Sequence, residues 1–190
     1  RPRGRPEHLH WPRGSRGDPS PTKGALGPGE ARALNRLFEN RRVEKQYLAV
    51  VRGYVPESGC IDYAFFEEEG KRPVEAVTEY ARKGTVELPF SVSRYSTARY
   101  SLVQAMPSTG RRHQIRRHFA HIFHPVAGDT THGDGAHNRL FRERFGIGRL
   151  LLMATQISFC HPYTGEPIAI RAPLPGKVRR LFERFGWEGV

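Results

Sequence analysis

The distribution of proline, glycine and apolar residues changes abruptly at Gly29. Residues 1–29 hold six of the 15 prolines and six of the 20 glycines, with almost no apolar periodicity. Such a segment cannot bury enough apolar surface to pack a core of its own. We therefore predict two parts: an irregular segment over residues 1–29 and one folded domain over residues 31–190.

The length and composition suit one globular domain. The chain has 190 residues, of which 37% are hydrophobic, including 11 Phe and 7 Tyr, and this is enough apolar matter for a core. No stretch approaches the ~20 consecutive apolar residues of a membrane helix, and no apolar stretch of a signal peptide follows the basic amino end. Cys60 and Cys160 form neither a disulfide framework nor a zinc-type spacing. We predict a soluble, cytoplasmic monomer.

The apolar spacing predicts an α+β fold. Helical spacing runs over residues 31–40, and β-rich runs bounded by Gly or Pro recur along the rest of the chain. Several consecutive strands with segregated helices indicate a mixed, mainly antiparallel central sheet flanked by helices. The predicted strands are Val43–Tyr54, Cys60–Phe66, Val74–Arg82, Thr97–Met106, Leu150–Phe159 and Pro167–Arg171, and the further predicted helices are Arg111–Ile122 and Lys177–Phe185.

The net charge points to a polyanionic partner. The chain has 31 Lys and Arg against 19 Asp and Glu, a net charge of +12, and an isoelectric point of about 10.4. An excess of this kind on one domain is typical of RNA or DNA binding, because each cation set against a phosphate releases condensed counterions. A merely basic surface from an arginine-rich proteome is the alternative.

The densest polar cluster lies in residues 109–129. Arg112 and Arg116 stand four residues apart, so on the predicted helix they share a face opposite Ile115 and Phe119. Such residues suit the binding of phosphates or an ion pair with a buried carboxylate. A solvated basic helix is the plainer alternative.

Several other chemistries are not indicated. The histidines at 113, 118, 121, 124, 132 and 137 lack a His-Glu-x-x-His pattern, paired cysteines or interleaved carboxylates, so no metal site is predicted. The chain has no phosphate-binding Gly-x-x-x-x-Gly-Lys-Ser/Thr loop and no Gly-x-Ser-x-Gly nucleophile turn. A DNA-binding module is a weak alternative, since no helix-turn-helix or zinc-finger spacing appears.

Three motifs in order resemble the RluA-type pseudouridine synthases. They are Lys45-Gln-Tyr-Leu-Ala-Val-Val-Arg-Gly53, Gly110-Arg-Arg-His-Gln-Ile-Arg-Arg-His118 and His124-Pro-Val-Ala-Gly-Asp129. Further stretches at 94–103, 132–134, 138–139 and 161–167 are most similar to the members of this family that act on tRNA. The resemblance covers about residues 31–190.

The resemblance implies isomerisation of a uridine to pseudouridine within RNA, without a cofactor and with the base extruded into a cleft. The same resemblance, which rests on motifs within residues 31–190, implies that the RNA is tRNA and that the target is uridine 65. The implied fold is the pseudouridine synthase catalytic fold, lacking part of its amino-terminal half. An rRNA-directed pseudouridine synthase and a catalytically impaired RNA-binding remnant are the alternatives.

The resemblance also implies roles for individual residues. Asp18 would be the nucleophilic carboxylate, and Arg116 would pair with it and keep it ionised. Tyr47 would stack on the flipped base, with its hydroxyl as a candidate for moving the C5 proton. The implied RNA contacts are Lys45, Arg111, Arg112, His113, Arg117 and His118.

The amino-terminal segment departs from the family pattern. The family's His-Arg-Leu-Asp is absent, and the nearest trace is Ser15-Arg-Gly-Asp-Pro-Ser-Pro-Thr-Lys-Gly-Ala-Leu26, which aligns only with a one-residue insertion. The strands that precede that motif in the family are not recognisable. We interpret residues 1–29 as a frame-shifted or misread start or as a diverged amino end, and we expect weak or no conversion by this 190-residue chain.

Overall fold

The computed structural model describes residues 28–67, 71–187 and 189. No helix of these residues is both long and apolar enough to cross a membrane. In chain order the elements are α1 (Pro28–Glu39), β1 (Glu44–Arg52), β2 (Ser58–Asp62), β3 (Val77–Leu88), β4 (Ala98–Pro107), α2 (Gln114–His121), α3 (Gly135–Phe145), β5 (Leu152–Cys160), β6 (Pro167–Arg171) and α4 (Gly176–Arg184).

The strands of the described residues form one sheet in the order β2-β3-β4-β1-β5-β6. The predicted α+β class is confirmed. The sheet is not mixed over this part of the chain, because all five strand pairings are antiparallel. Parallel neighbours need a long crossover connection, whereas β2, β3 and β4 follow one another directly and β5 and β6 form a hairpin.

Side chains alternate across the sheet and divide the core in two. On one side, which we call the apolar face, Leu48 and Val50 of β1 belong to a cluster that includes Phe141 of α3 and Phe182 of α4. On the other side, the α2 face, the cluster contains Tyr47, Ala49, Val51, Val103, Ala105, Ile115 and Phe119. The sheet is thus covered by helices on both sides, with α2 on its own side.

The structure corrects the predicted start of α2. The helix begins at Gln114 rather than at Arg111, because His113 adopts the left-handed conformation with φ of 56°. Arg112 therefore precedes the helix and does not share a helix face with Arg116. Arg116 is also buried, whereas the prediction put it opposite the apolar stripe.

Helix α3 is missing from the sequence prediction. Its signals are Asp134, whose side chain accepts from the amides of Ala136 and His137 at the amino end, and Gly146, which ends the helix at φ of 64°. The apolar residues between them are few, and this weakens the helical pattern. The predicted strand Cys60–Phe66 is also too long, since β2 ends at Asp62 and Phe65 makes only an isolated bridge to Val74.

The predicted irregular segment lies almost wholly outside the described residues. Residues 1–27 belong to the part of the chain that the structure does not describe, and α1 begins at Pro28. The division into an irregular segment and a folded domain therefore stays a prediction.

Candidate active site

Helix α2 contributes one half of a buried ion pair. Arg116, in the first turn of α2, donates from Nε to Oδ2 of Asp129 at 2.7 Å and from Nη2 to Oδ1 at 2.6 Å. Both side chains are buried. Two-point contact of this kind fixes the plane and direction of the guanidinium as well as its position.

Asp129 is held as a carboxylate by the donors around it. Burial raises its pKa, but hydrogen bonds from Arg116 and from the backbone amides of His132 and Thr131 outweigh burial, so the pKa lies below its ordinary value. The two amides donate to Oδ1 at 2.9 and 2.8 Å. The pair is therefore charged at neutral pH.

The loop that presents Asp129 is pinned by α3. Asn138 of α3 donates from Nδ2 to the Asp129 carbonyl at 2.6 Å and accepts from the amide of Gly128 at 2.7 Å. A Cβ at Gly133 would lie 2.1 Å from the Asp129 carbonyl oxygen, so only glycine allows the loop to fold back this closely. The carboxylate is positioned by backbone geometry as much as by Arg116.

Tyr47 lies on the same face of the sheet. It occupies the central strand β1, opposite Ala105 of β4 and Ala154 of β5, beside a register shift at Gln46. Its side chain is 8% exposed and packs in the cluster that contains Ile115, the residue before Arg116. The sheet and α2 thus bring the phenol and the guanidinium to one layer of the molecule.

Gln114 ties the segment before α2 to strand β3. Its buried side chain accepts from Thr109 Oγ1 at 2.7 Å and from the Arg111 amide at 3.0 Å. It donates to the Val77 carbonyl at 2.8 Å and to Thr78 Oγ1 at 3.0 Å. Because two of these bonds hold the segment before α2 and the other two reach β3, Gln114 sets the path of residues 109–113.

The predicted RNA contacts divide into exposed and buried groups. Arg111 and Arg112 are exposed just before α2, and Arg117 is half-buried, with its guanidinium 4.8 Å from the centre of the Phe65 ring. Lys45 donates to the Thr109 carbonyl at 3.0 Å, and burial, followed by the charge of Arg41, lowers its pKa.

The two predicted histidine contacts differ from each other. His118 is fully buried, and its Nε2 donates to the Tyr63 carbonyl at 3.2 Å. His113 is half-buried, and its Nδ1 lies 3.3 Å from Nε2 of His132. Burial is the largest cause lowering the pKa of both His113 and His132, and the charge of nearby Arg116 lowers each further. Both rings are therefore neutral at neutral pH.

Sequence reasoning assigned no role to Asp129, Gln114, His132 or Asn138. Gly128-Asp129 lies in one of the family motifs, which was the only signal for the carboxylate. Asp18 lies outside the described residues, so its predicted pairing with Arg116 stays a prediction. Within residues 28–67, 71–187 and 189, no group of three or more His, Cys, Asp or Glu side chains is placed to hold a metal ion.

Comparisons with known proteins give close relatives of one kind. A "tRNA pseudouridine synthase C" of Vibrio cholerae is 44% identical over 182 residues, which are 88% of this chain and 75% of that protein. A protein of the same name from Haemophilus influenzae is 43% identical over 184 residues, covering 90% of this chain and 77% of that one. For the one from Pectobacterium carotovorum the identity is 44%, and the chain spans about half (49%) of its length.

Solved structures and a family profile point to the same kind of protein as these relatives. "Human RNA Pseudouridylate Synthase Domain Containing 1" superposes with a TM-score of 0.60 at 26% identity, covering 79% of this chain and 62% of that one. "Human RNA Pseudouridylate Synthase Domain Containing 4" has a TM-score of 0.61 at 22% identity, covering 84% and 68%, and supports the fold alone. The profile described as RNA pseudouridylate synthase matches residues 27–121. The resemblance seen in the motifs is confirmed, and the chain belongs to the RNA pseudouridylate synthase family.

Proposed function

We propose that this protein converts a uridine of tRNA to pseudouridine. The observation that supports this most directly is the buried two-point ion pair of Arg116 and Asp129 on the same sheet face as Tyr47. The names of the relatives from Vibrio cholerae and Haemophilus influenzae support tRNA as the RNA.

The reaction is an isomerisation, so atoms balance without a co-reactant. The bond from N1 of the uracil to C1′ of the ribose breaks, a bond from C5 to C1′ forms, and C5 loses its proton while N1 gains one. Asp18 would act as the carboxylate that attacks C1′ or assists departure of the base. Because base and ribose stay in one active site, the base has only to turn and reattach.

Arg116 and Asp129 have different roles in this scheme. A fixed cation beside a nucleophilic carboxylate favours its charged form, and Asp129 fixes the direction of the Arg116 guanidinium. Asp129 is thus a positioning residue that acts through Arg116. The half-buried His113 and His132 rings border this centre and stay neutral, which avoids adding charge beside the carboxylates.

Tyr47 supplies the surface for the flipped base. Its ring is an apolar, polarisable surface on the central strand, and uracil has a π face of matching kind. The phenol is also the proposed group for moving the C5 proton. We propose Arg111, Arg112 and Arg117 as phosphate contacts, with Lys45 and His113 beside them, and leave out His118 because its ring is fully buried.

We also propose that the protein acts as a cytoplasmic monomer. Support comes from the two free cysteines, Cys60 and Cys160, both exposed and unpaired with each other, which suits a reducing compartment. Sedimentation of the protein with and without tRNA tests the monomer, and a dimer in the absence of RNA would contradict it.

The test is release of tritium from C5-labelled tRNA, compared with a labelled rRNA fragment. We expect slow release from tRNA that Asp18→Asn abolishes while tRNA binding persists, since the substitution removes the charge at nearly constant size. Tyr47→Phe separates stacking from proton transfer, because it keeps the ring and removes the hydroxyl. Release from the rRNA fragment alone would favour the rRNA-directed alternative, and tRNA binding without release by the unmodified chain would favour the RNA-binding remnant.

A further inference from the structure

An aromatic pair lies at the far end of α2 from the ion pair. Tyr63, which follows β2, stacks on His121 in the last turn of α2, with ring centroids 3.5 Å apart and planes 12° from parallel. Both side chains are exposed, Tyr63 by 37%. A single exposed aromatic ring is ordinary at a protein surface, but a parallel pair presents a flat ring face of the kind on which nucleic-acid bases stack.

The pair is held rigidly by its surroundings. The Tyr63 amide donates to the Ala76 carbonyl at 3.1 Å, and the Tyr63 carbonyl accepts from the buried ring of His118 at 3.2 Å. Three residues further on, the Phe66 carbonyl accepts from Arg117 of α2. The segment carrying Tyr63 is thus tied to β3 and to α2, so little conformational entropy remains to be lost when a ligand stacks on it.

The charges around the pair favour RNA over a protein partner. Residues 108–128 contain four arginines and four histidines and no Asp or Glu. On the Tyr63 side, the acidic groups are Asp62, which precedes Tyr63, and Glu67, which accepts from the Arg112 amide at 2.9 Å. A basic surface with an exposed ring stack is complementary to a phosphate backbone with a splayed base.

The position of the pair on α2 bears on which base would stack there. His121 lies five residues beyond Arg116, or ~7.5 Å along an α-helix axis and ~140° around it, and His121 is exposed whereas Arg116 is buried, so the two lie on different sides of α2. Two residues past His121, Phe123 is 80% exposed and held at φ of 64°, so the exposed aromatic surface continues away from the ion pair. This separation favours a base of a nucleotide beside the target over the target uridine itself.

We infer that the Tyr63–His121 pair is a stacking site for an unpaired base of the RNA next to the target uridine, with Arg117 beside it. This inference rests on the proposed function. The site contacts a base face and no phosphate, so it adds affinity that does not depend on counterion release.

The test uses tRNA transcripts that carry 2-aminopurine singly at unpaired positions, since this base loses fluorescence when it stacks. We expect quenching at one position with the unmodified protein and none with Tyr63→Ala. The tRNA affinity of Tyr63→Ala should fall about tenfold, while the slope of log affinity against log salt stays unchanged. Tyr163, another exposed tyrosine near a histidine but tilted rather than stacked, provides the control: Tyr163→Ala should keep both affinity and quenching.

Conservative variants separate stacking from support of the fold. Tyr63→Phe and His121→Phe keep a ring in the stack and should keep the quenching, whereas His121→Ala should lose it. The inference is overturned if Tyr63→Ala and His121→Ala bind and quench like the unmodified protein, or if His121→Phe loses as much as His121→Ala. A protein that binds no tRNA contradicts the proposed function, whereas one that converts tRNA but is indifferent to these substitutions contradicts the stacking site alone.

Discussion

The two faces of the sheet are built from different materials. On the apolar face, Phe141 packs edge-on against Tyr100 at 4.9 Å between ring centroids and lies near Phe145 and Phe185. The α2 face buries an ion pair, a histidine and the Gln114 network between helix and sheet. Burial of apolar side chains therefore stabilises the apolar face. On the α2 face, the desolvation of buried polar and charged groups opposes part of that stabilisation.

The difference teaches where chemistry can be placed in a small domain. Burying charged groups in apolar surroundings is costly even when they are paired, and an apolar replacement of the pair is often as stable. The free energy lost by burying polar groups on the α2 face is offset by the burial of apolar side chains on the apolar face. Substitutions on the two faces should therefore separate stability from activity.

The largest expected effect is that of Asp129→Asn on the α2 face. Removing the charge leaves the Arg116 guanidinium buried without its carboxylate, which should lower the free energy of unfolding by about 3–5 kcal/mol and abolish uridine conversion. Urea denaturation and tritium release measure the two effects. Asp134→Asn is the matched control, because Asp134 pairs with Arg52 at a partly exposed site and Asn still caps α3, so it should cost less than about 1 kcal/mol. An equal loss of unfolding free energy in the two variants would contradict the assignment of the larger electrostatic contribution to the buried pair.

Next comes Phe141→Ala on the apolar face. The side chain is fully buried, so its truncation should cost about 3–5 kcal/mol through lost burial and a cavity. Conversion per folded molecule should not change, since Phe141 and Tyr47 belong to core clusters on opposite sides of the sheet. Activity is measured below the unfolding transition and scaled to the folded fraction. A loss of activity beyond that fraction would show that the two faces are coupled.

A smaller effect is expected from Gln114→Leu. The substitution keeps the approximate volume but removes the side-chain donor to the Val77 carbonyl and to the Thr78 hydroxyl, of which the carbonyl keeps the Ser108 amide, at a cost of about 1–3 kcal/mol. Residues 109–113 should also lose their fixed path, so tRNA affinity should weaken together with stability. Gln114→Glu keeps the acceptors for Thr109 and Arg111 and should restore part of that affinity. If Gln114→Glu binds tRNA as weakly as Gln114→Leu, the path of residues 109–113 is not the cause of the weakened affinity.

The smallest effect is a pH slope of stability. Burial is the main cause lowering the pKa of His118 and His132 below 6.5 in the folded chain, so the unfolded chain binds more protons just below that pH. Stability should therefore be fully present above about pH 6.5 and fall as the pH drops below it. Asp129, whose pKa is also lowered, adds a further loss only at more acidic pH. Urea midpoints at pH 7.5 and 5.5 measure the slope.

His118→Gln makes this slope specific to the α2 face. The Gln Nε2 can replace the imidazole Nε2 as donor to the Tyr63 carbonyl, and it does not titrate. The variant should thus have a shallower slope than the unmodified chain. Identical slopes in the two proteins would assign the acid sensitivity to other groups.

Much of the fold could be predicted from local pattern. Val43–Tyr54 and Pro167–Arg171 were predicted as strands and correspond to β1 and β6, because apolar runs bounded by Gly and Pro leave few alternatives. Helix α3 could not be found in the same way. Its few apolar residues lie among polar and charged ones, and its evidence is the cap at each end rather than a stripe along its length.

The site was less predictable because it depends on turns. Two separate sequence motifs contain Arg116 and Asp129, but the contact between them requires the tight return of the loop at Gly133 and the hydrogen bond from Asn138. Likewise, the left-handed conformation of His113 removes Arg112 from the helix face that it would otherwise share with Arg116. Neither conformation has a signature in hydrophobic periodicity.

The position of β1 in the sheet has a consequence for how the protein is made. β1 is the first strand in chain order among the described residues, yet it lies between β4 and β5, and its Gln46 carbonyl meets Thr155 from 109 residues later. On the ribosome, the edge that receives β5 stays open until β5 itself has emerged, with apolar side chains on both faces of β1. Contacts this distant slow folding and leave strand edges exposed to aggregation. The strand of Tyr47 thus gains its second neighbour only after β5 has been translated.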